Sequence, residues 1–298
     1  MTHWKYLSEN DSISLIAPAS AAPLKVFEET LDFTSTDFSV EYHPKFNTPD
    51  LFFAQKKEFQ LADLLKALES PNPVIWSLRG GYGSMRLIPE LMKLKKPKNT
   101  KCFIGFSDNT ALHLFFNQKW NWPTLHGINY SSILGHQKEY QELKKVLTGQ
   151  MKEKSFKLKP LNAAAKEVSS LEGVITGGNL RIIQSSLGTP WQIKTKGKIL
   201  FLEDVGERGY SLDRMFEQLY QASILTPDIK AIILGAFSEG LEQNGNDLKG
   251  RALKRWSQLL NIPFFHNLPC GHGSKNFTLP FNTPSLIESN RLITQFNH

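Results

Sequence analysis

The sequence predicts an α/β fold: an N-terminal, mostly parallel sheet flanked by helices, then a second, smaller C-terminal α/β domain rich in β-strands. Three observations predict it. Short apolar runs at Ser12 to Ala17 (SISLIA), Val74 to Leu78 (VIWSL) and Cys102 to Gly105 (CFIG) have the length and continuity of strands buried on both faces. Stretches of helical periodicity alternate with them, the pattern that yields a parallel sheet. Beyond residue 170 the chain changes to short strands divided by glycine-rich turns.

The first run is closed by Pro18 and followed by a loop of small residues. Leu61, Leu64, Leu65 and Leu68 recur at helical spacing, and Ser70-Pro71-Asn72-Pro73 stops that helix before the second strand. Arg79-Gly80-Gly81-Tyr82-Gly83 comes next, then the third strand and a helical pattern at Asn109 to Phe116. From Gln137 to Ser170 the composition turns Lys-rich, with no aromatic beyond Tyr140 and Phe156, and reads as a connecting segment. The expected organisation is therefore residues 1–136, a connector at 137–170, and residues 171–298. In the last part, Gly173 to Thr176, Lys198 to Leu202 and Lys230 to Leu234 are short strands, and Leu212 to Gln221 is a helix with Ser211 as its N-cap.

A chain of 298 residues and 33.8 kDa with 40% hydrophobic and 21% charged residues has ordinary globular composition, which excludes collagen-like, coiled-coil and disordered classes. The longest apolar or Gly run, Ala231 to Phe237, has seven members, against roughly twenty for a membrane-spanning helix. Ile13 to Ala22 mimics an export signal, but Glu9 and Asp11 stand where a basic region belongs, so a buried first strand and a cytoplasmic location are expected. Cys102 and Cys270 are too few for a disulfide framework, and no Cys/His cluster has metal-ligand spacing, so neither metal nor cofactor is expected. The net charge of +7 is mild, and its densest piece, Lys93 to Lys101, lacks aromatics and reads as a solvated surface loop rather than a nucleic-acid patch.

The sharpest chemical signal is Ile104-Gly105-Phe106-Ser107-Asp108-Asn109, where a strand passes through a glycine into a serine that opens a helix. A tight turn of this kind lifts the serine oxygen clear of the sheet, and amides at the helix start can receive an oxyanion. The second glycine of the common G-x-S-x-G form is replaced by Asn109, and the isolated pattern is also that of an N-cap. Arg79 to Gly83 holds three glycines in four positions, which lets backbone amides approach an anion, and equally makes an ordinary turn. A serine nucleophile needs a base and the base an orienting acid. His113, six positions after Ser107 on one helix, points away and is a packing residue. His126, at the end of a short apolar run, and His272, flanked by glycines, both remain open, whereas His3, His43, His136, His266 and His298 have nothing convergent around them. Glu203, Asp204 and Glu207 compete as the acid at a strand exit, and pattern alone does not choose among them.

Taken together, SISLIAPA (12–19), LRGGYGSMR (78–86), FIGFSDNTALH (103–113), GGNL (177–180), LGTP (187–190), LFLEDVGERGYSLDR (200–214) and LPCGHGSKNFTLP (268–280) resemble, in order and spacing, the LD-carboxypeptidase family of serine peptidases. That family includes muramoyltetrapeptide carboxypeptidases, which recycle cell-wall peptides, and microcin C immunity peptidases. The resemblance implies a catalytic triad of Ser107, Glu203 and His272, with an oxyanion hole at the backbone amides of Asp108 and Gly81. It implies a small peptide substrate, a murein tetrapeptide losing its terminal D-alanine, and a homodimer. A peptidyl- or aminoacyl-nucleotide antibiotic is the alternative substrate. Arg79 and Arg86 are candidates for holding the substrate carboxylate. Two positions depart from the family pattern: Ile128 stands where proline is common and Phe281 where glycine is common. Both are expected near the substrate groove or a dimer contact. Residues 24–60 match poorly.

Overall fold

The computed structural model describes residues 3–297, so His298 lies outside the described residues. The chain forms two compact units, one comprising residues 1–152, 277–280 and 296–298, the other 153–276 and 281–295. No described helix is long and apolar enough to cross a membrane.

In the first unit, β1 (Ser12–Ile16), β2 (Ser39–Glu41), β3 (Val74–Ser77), β4 (Cys102–Gly105) and β5 (Thr124–His126) pair in the order β5-β4-β3-β1-β2, every pair parallel. β3, β4 and β5 are buried along their whole length, as continuous apolar runs in a sheet covered on both faces should be. Helices Leu24–Thr34, Lys57–Glu69 and Thr110–Lys119 provide the crossovers. The core gathers Ile13, Trp76, Ile104, Tyr130 and Tyr140 around this sheet.

The Lys-rich stretch is not a connector. Gln137–Leu147 is a helix whose Tyr140, Leu143, Val146 and Leu147 are completely buried in the first unit's core. Its lysines occupy the opposite face, so mean composition concealed an amphipathic stripe. The following residues open the second unit with β6 (Glu153–Lys157) and β7 (Lys159–Pro160). The basic run at 93–101 also ends differently from a solvated loop: Lys101 is buried, and its ammonium donates to the carbonyls of Ser70 and Asn72.

The second unit is built on β8 (Ser170–Asn179), β9 (Ile199–Val205), β10 (Ala231–Ser238) and β11 (Phe264–His266), which pair with one another in that order and in parallel. After β12 (Leu279–Phe281), which joins the edge of the first sheet beside β5, the chain returns as β13 (Pro284–Glu288) and β14 (Arg291–Gln295). Antiparallel β13, β14 and β6 extend the second sheet past β8, and β7 closes its far side against β11. The expected helix runs Gly209–Gln221, and its N-cap is Arg208 rather than Ser211. Ser211 lies inside the first turn and donates to the Glu207 carboxylate instead.

Candidate active site

Within the first unit, β4 ends at Gly105 and the chain turns at Ser107 into a short 3-10 turn (Ser107–Asn109) that runs on into helix Thr110–Lys119. Ser107 has φ +65°, a left-handed backbone that costs a non-glycine residue about 1–2 kcal/mol and that marks the strained strand-to-helix elbow. Its side chain stays partly exposed while Asp108 and Asn109 beside it are buried.

Asn109, standing where G-x-S-x-G has glycine, braces this turn. Its amide donates to the Arg79 and Phe106 carbonyls at 3.3 and 3.1 Å and to Asn129 Oδ1 at 3.2 Å. Asn129 Oδ1 also accepts the Phe106 N–H at 3.3 Å. The Asp108 carboxylate accepts the Ser84 N–H at 2.8 Å, and the Ser84 hydroxyl donates to the Asp108 carbonyl at 2.6 Å. Burial pushes the Asp108 carboxyl up, against the opposing pull of Ser84. The glycine-rich loop lies against the elbow: a Cβ placed on Gly80 would stand 2.8 Å from Ser107 Cβ and 3.0 Å from its Oγ. Asn129 and Ser84 had no signal of their own in the sequence, because an isolated Asn or Ser beside a turn is commonplace.

His113 is fully buried with its ring nitrogens 2.8 Å from Thr124 Oγ1 and 2.9 Å from the Gly105 carbonyl, and burial lowers its pKa to about 4. It is the packing residue that its helical position predicts. His126, the last residue of β5, is also fully buried, its ring 5.9 Å from that of Phe106.

Within the second unit, Glu203 and His272 are brought together. Glu203 sits in β9, completely buried, and its Oε2 accepts both the His272 Nδ1–H at 2.6 Å and the His272 backbone N–H at 3.1 Å. Burial disfavours the imidazolium, but the hydrogen bond and charge of Glu203, with Asp204 and Glu239 behind it, outweigh that and raise the His272 pKa above its ordinary value. Gly271 makes the contact possible, since at φ +101° its Cβ would fall 2.6 Å from Glu203 Oε2. The Ser238 hydroxyl holds the His272 carbonyl at 2.5 Å, and Asn276 Oδ1 accepts the Gly271 N–H at 2.8 Å.

The competing acids have other partners. Successive strand residues face opposite sides, so Asp204 turns away from Glu203 and accepts from Asn179 Nδ2, Val205 N and Arg181 N at 2.8, 2.8 and 3.0 Å. Burial, and then the neighbouring Glu203 charge, push Asp204 up to about 6. Glu207 is paired with Arg181 at 2.6 Å.

A family model described as the LD-carboxypeptidase N-terminal domain matches residues 13–127, and one described as its C-terminal domain matches residues 172–287. A Rickettsia conorii protein with a provisional carboxypeptidase name is 42% identical over 94% of this chain and 88% of its own. The murein tetrapeptide carboxypeptidase of Pseudomonas aeruginosa is 31% identical over 94% of both chains. The chain belongs to the LD-carboxypeptidase family. The fold agrees: the muramoyltetrapeptide carboxypeptidase of Oxalobacter formigenes superposes with a TM-score of 0.81 at 27% identity, over 95% of this chain and 98% of that one.

Against this family, the two departures are both buried side chains. Ile128 is buried in the first unit, with its carbonyl accepting the Trp76 indole N–H at 2.9 Å, and Phe281 is buried in the second, its ring 6.1 Å from that of Phe201. Sequence spacing cannot separate a buried apolar substitution from one lining a groove. The two arginines differ from each other. Arg79 is exposed and donates to the Ala21 carbonyl at 2.7 Å, whereas the Arg86 guanidinium lies 3.6 Å over the centre of the Phe53 ring.

Proposed function

We propose that this LD-carboxypeptidase removes the terminal D-alanine from murein tetrapeptides in cell-wall recycling, using Ser107 as nucleophile, His272 as base and Glu203 as the orienting acid. The observation that carries the reading is the buried Glu203 carboxylate on His272 Nδ1, because an Nδ1–H that donates to this carboxylate makes Nε2 the basic nitrogen of the neutral ring. His272 accepts the Ser107 proton as the oxygen attacks the amide carbonyl between an L-centre and the D-alanine. The amides of Gly81 and Asp108 stabilise the oxyanion, a donor of this kind contributing about 3 kcal/mol. Collapse expels D-alanine with the proton from His272, and water then hydrolyses the acyl-enzyme. The proposed nucleophile thus belongs to the first unit and the proposed base and acid to the second. Of the two candidates for the substrate carboxylate, exposure favours Arg79 over the ring-stacked Arg86. The murein peptide is favoured by the Pseudomonas aeruginosa relative, which carries that substrate in its name and matches along nearly the whole chain. The enzyme is proposed to work in the cytoplasm as a homodimer.

The test is D-alanine release from UDP-muramoyl-tetrapeptide, run beside the pentapeptide, an aminoacyl-nucleotide and Ser107→Ala. Release from the tetrapeptide alone, with rates reduced by about 10⁴-fold or more in the variant, is expected. Cleavage of only the nucleotide compound would transfer the same triad to antibiotic immunity. Full activity of Ser107→Ala would remove Ser107 from the reaction.

A further inference from the structure

We propose that Ser20, in the small-residue loop after β1, is the positioning residue that orients the Gly81 amide as an oxyanion donor; this rests on the serine-peptidase reading above. Ser20 holds both peptide groups that flank Gly81. On one side its backbone N–H donates to the Gly80 carbonyl at 3.1 Å. That carbonyl and the Gly81 N–H share one planar trans peptide and point in opposite directions, so fixing the carbonyl on Ser20 turns the Gly81 N–H away from Ser20. On the other side the Tyr82 N–H donates to Ser20 Oγ at 3.1 Å, which fixes the next peptide plane. The hydroxyl proton is engaged as well, donating to the Phe52 carbonyl at 2.7 Å. One hydroxyl therefore uses its donor and an acceptor lone pair to tie the glycine-rich loop to the 47–56 loop.

The packing is equally specific. Gly81 has φ +100°, and a Cβ there would fall 2.4 Å from Ser20 Oγ. The Ser20 side chain thus occupies the space beside Gly81 and leaves only glycine able to take this backbone. Gly80, whose carbonyl Ser20 holds, is the residue packed against Ser107. The clamped peptide therefore lies beside the nucleophile. Neighbouring bonds stiffen the clamp: the Ala54 N–H donates to the Ala19 carbonyl at 2.8 Å, and the buried Gln60 amide donates to the Ala17 and Ala19 carbonyls at 3.0 Å each. Ser20 does not touch the reacting atoms; it acts by directing one amide.

Ser20→Ala removes the Oγ bonds but keeps the backbone one, so the donor is loosened rather than lost. Two readouts separate this inference from the substrate assignment. The first is the rate at which a fluorophosphonate labels Ser107, which needs the oxyanion donor but no murein peptide, with Ser107→Ala as the unlabelled control. The second is kcat and KM for D-alanine release. The expected result is labelling slowed about tenfold, kcat lowered by a similar factor with KM within twofold, and an unfolding midpoint within a few degrees of wild type; loss of an entire donor costs about 10²–10³. Ser20→Cys, with nearly the same shape and a weaker acceptor, should fall between wild type and Ser20→Ala, and keeps the test readable if the alanine variant unfolds. Wild-type labelling rates in both folded variants would overturn the inference and leave the peptidase reading intact. Slowed labelling with no tetrapeptide turnover by the wild type would uphold Ser20 and overturn the substrate. No labelling of the wild type would overturn both.

Discussion

Single side chains carry the chemistry, and their environments set its pH range. His272 has a pKa raised above 6.5 with Glu203 as the favourable partner, and in the proposed reaction only neutral imidazole can accept the Ser107 proton. The acid limb of kcat/KM should therefore lie above pH 6.5. Glu203→Gln should move that limb down and lower kcat by about 10⁴, read from a pH–rate profile of both proteins. An unmoved limb would disconnect Glu203 from the base. The same shift has a stability consequence with a definite sign. A group whose folded pKa is raised contributes stability that is present below its unfolded value, near 6.5, and is lost as pH rises through the folded value. Removing the imidazole with His272→Ala should therefore flatten the stability curve just above pH 6.5, measured by denaturant unfolding across pH. Asp204 follows the same rule in a lower window, from 3.8 to about 6. At this scale the sequence named the residue types and left Glu203, Asp204 and Glu207 level. The hydrogen bond to His272 is a distance between residues 69 positions apart, and no local pattern encodes it.

Elements explain why glycines stand where they do. Gly177 in GGNL has φ +131°, and a Cβ there would lie 1.9 Å from the Phe201 carbonyl of β9, so the β8–β9 pairing depends on glycine. Gly271 does the same for the loop that presents His272. Gly271→Ala should displace the Glu203 carboxylate and reduce turnover by at least about 10²-fold while the protein still folds, a steady-state assay with circular dichroism being sufficient to check it. Retained turnover would show that the loop can shift without consequence. Buried strands were legible because four or five consecutive apolar residues have few other uses in a soluble domain. Helix Gln137–Leu147 was not, because its stripe of Tyr140, Leu143, Val146 and Leu147 is diluted by lysines on the solvent face. The burial of Lys101 is hidden in the sequence for a related reason. Its burial depends on the Ser70 and Asn72 carbonyls about thirty residues away, and Lys101→Met should cost about 2–3 kcal/mol in denaturant unfolding by leaving them unmet.

Across the whole molecule, chain order and spatial order diverge. The C-terminal segment contributes β12 to the edge of the first sheet, and Phe296 is buried in the first unit's core with Trp4 and Ile13. Phe296→Ala should therefore destabilise by about 3–5 kcal/mol, visible as a lower midpoint in chemical denaturation, although it lies almost at the end of the chain. A change below 1 kcal/mol would mean the segment can detach freely. The α/β class, the glycine-punctuated turns, the serine elbow at Ser107 and membership of the LD-carboxypeptidase family are all legible in the unfolded chain, because each is a short-range pattern or an ordered series of such patterns. The Glu203 carboxylate on His272, the burial of Ile128 and Phe281, and the bonds from Ser20 to the Gly80 and Tyr82 peptide groups emerge only when the chain is folded. These depend on strand register, on a Cβ that has no room, and on donors meeting acceptors across long separations, none of which is a property of neighbouring residues in the chain.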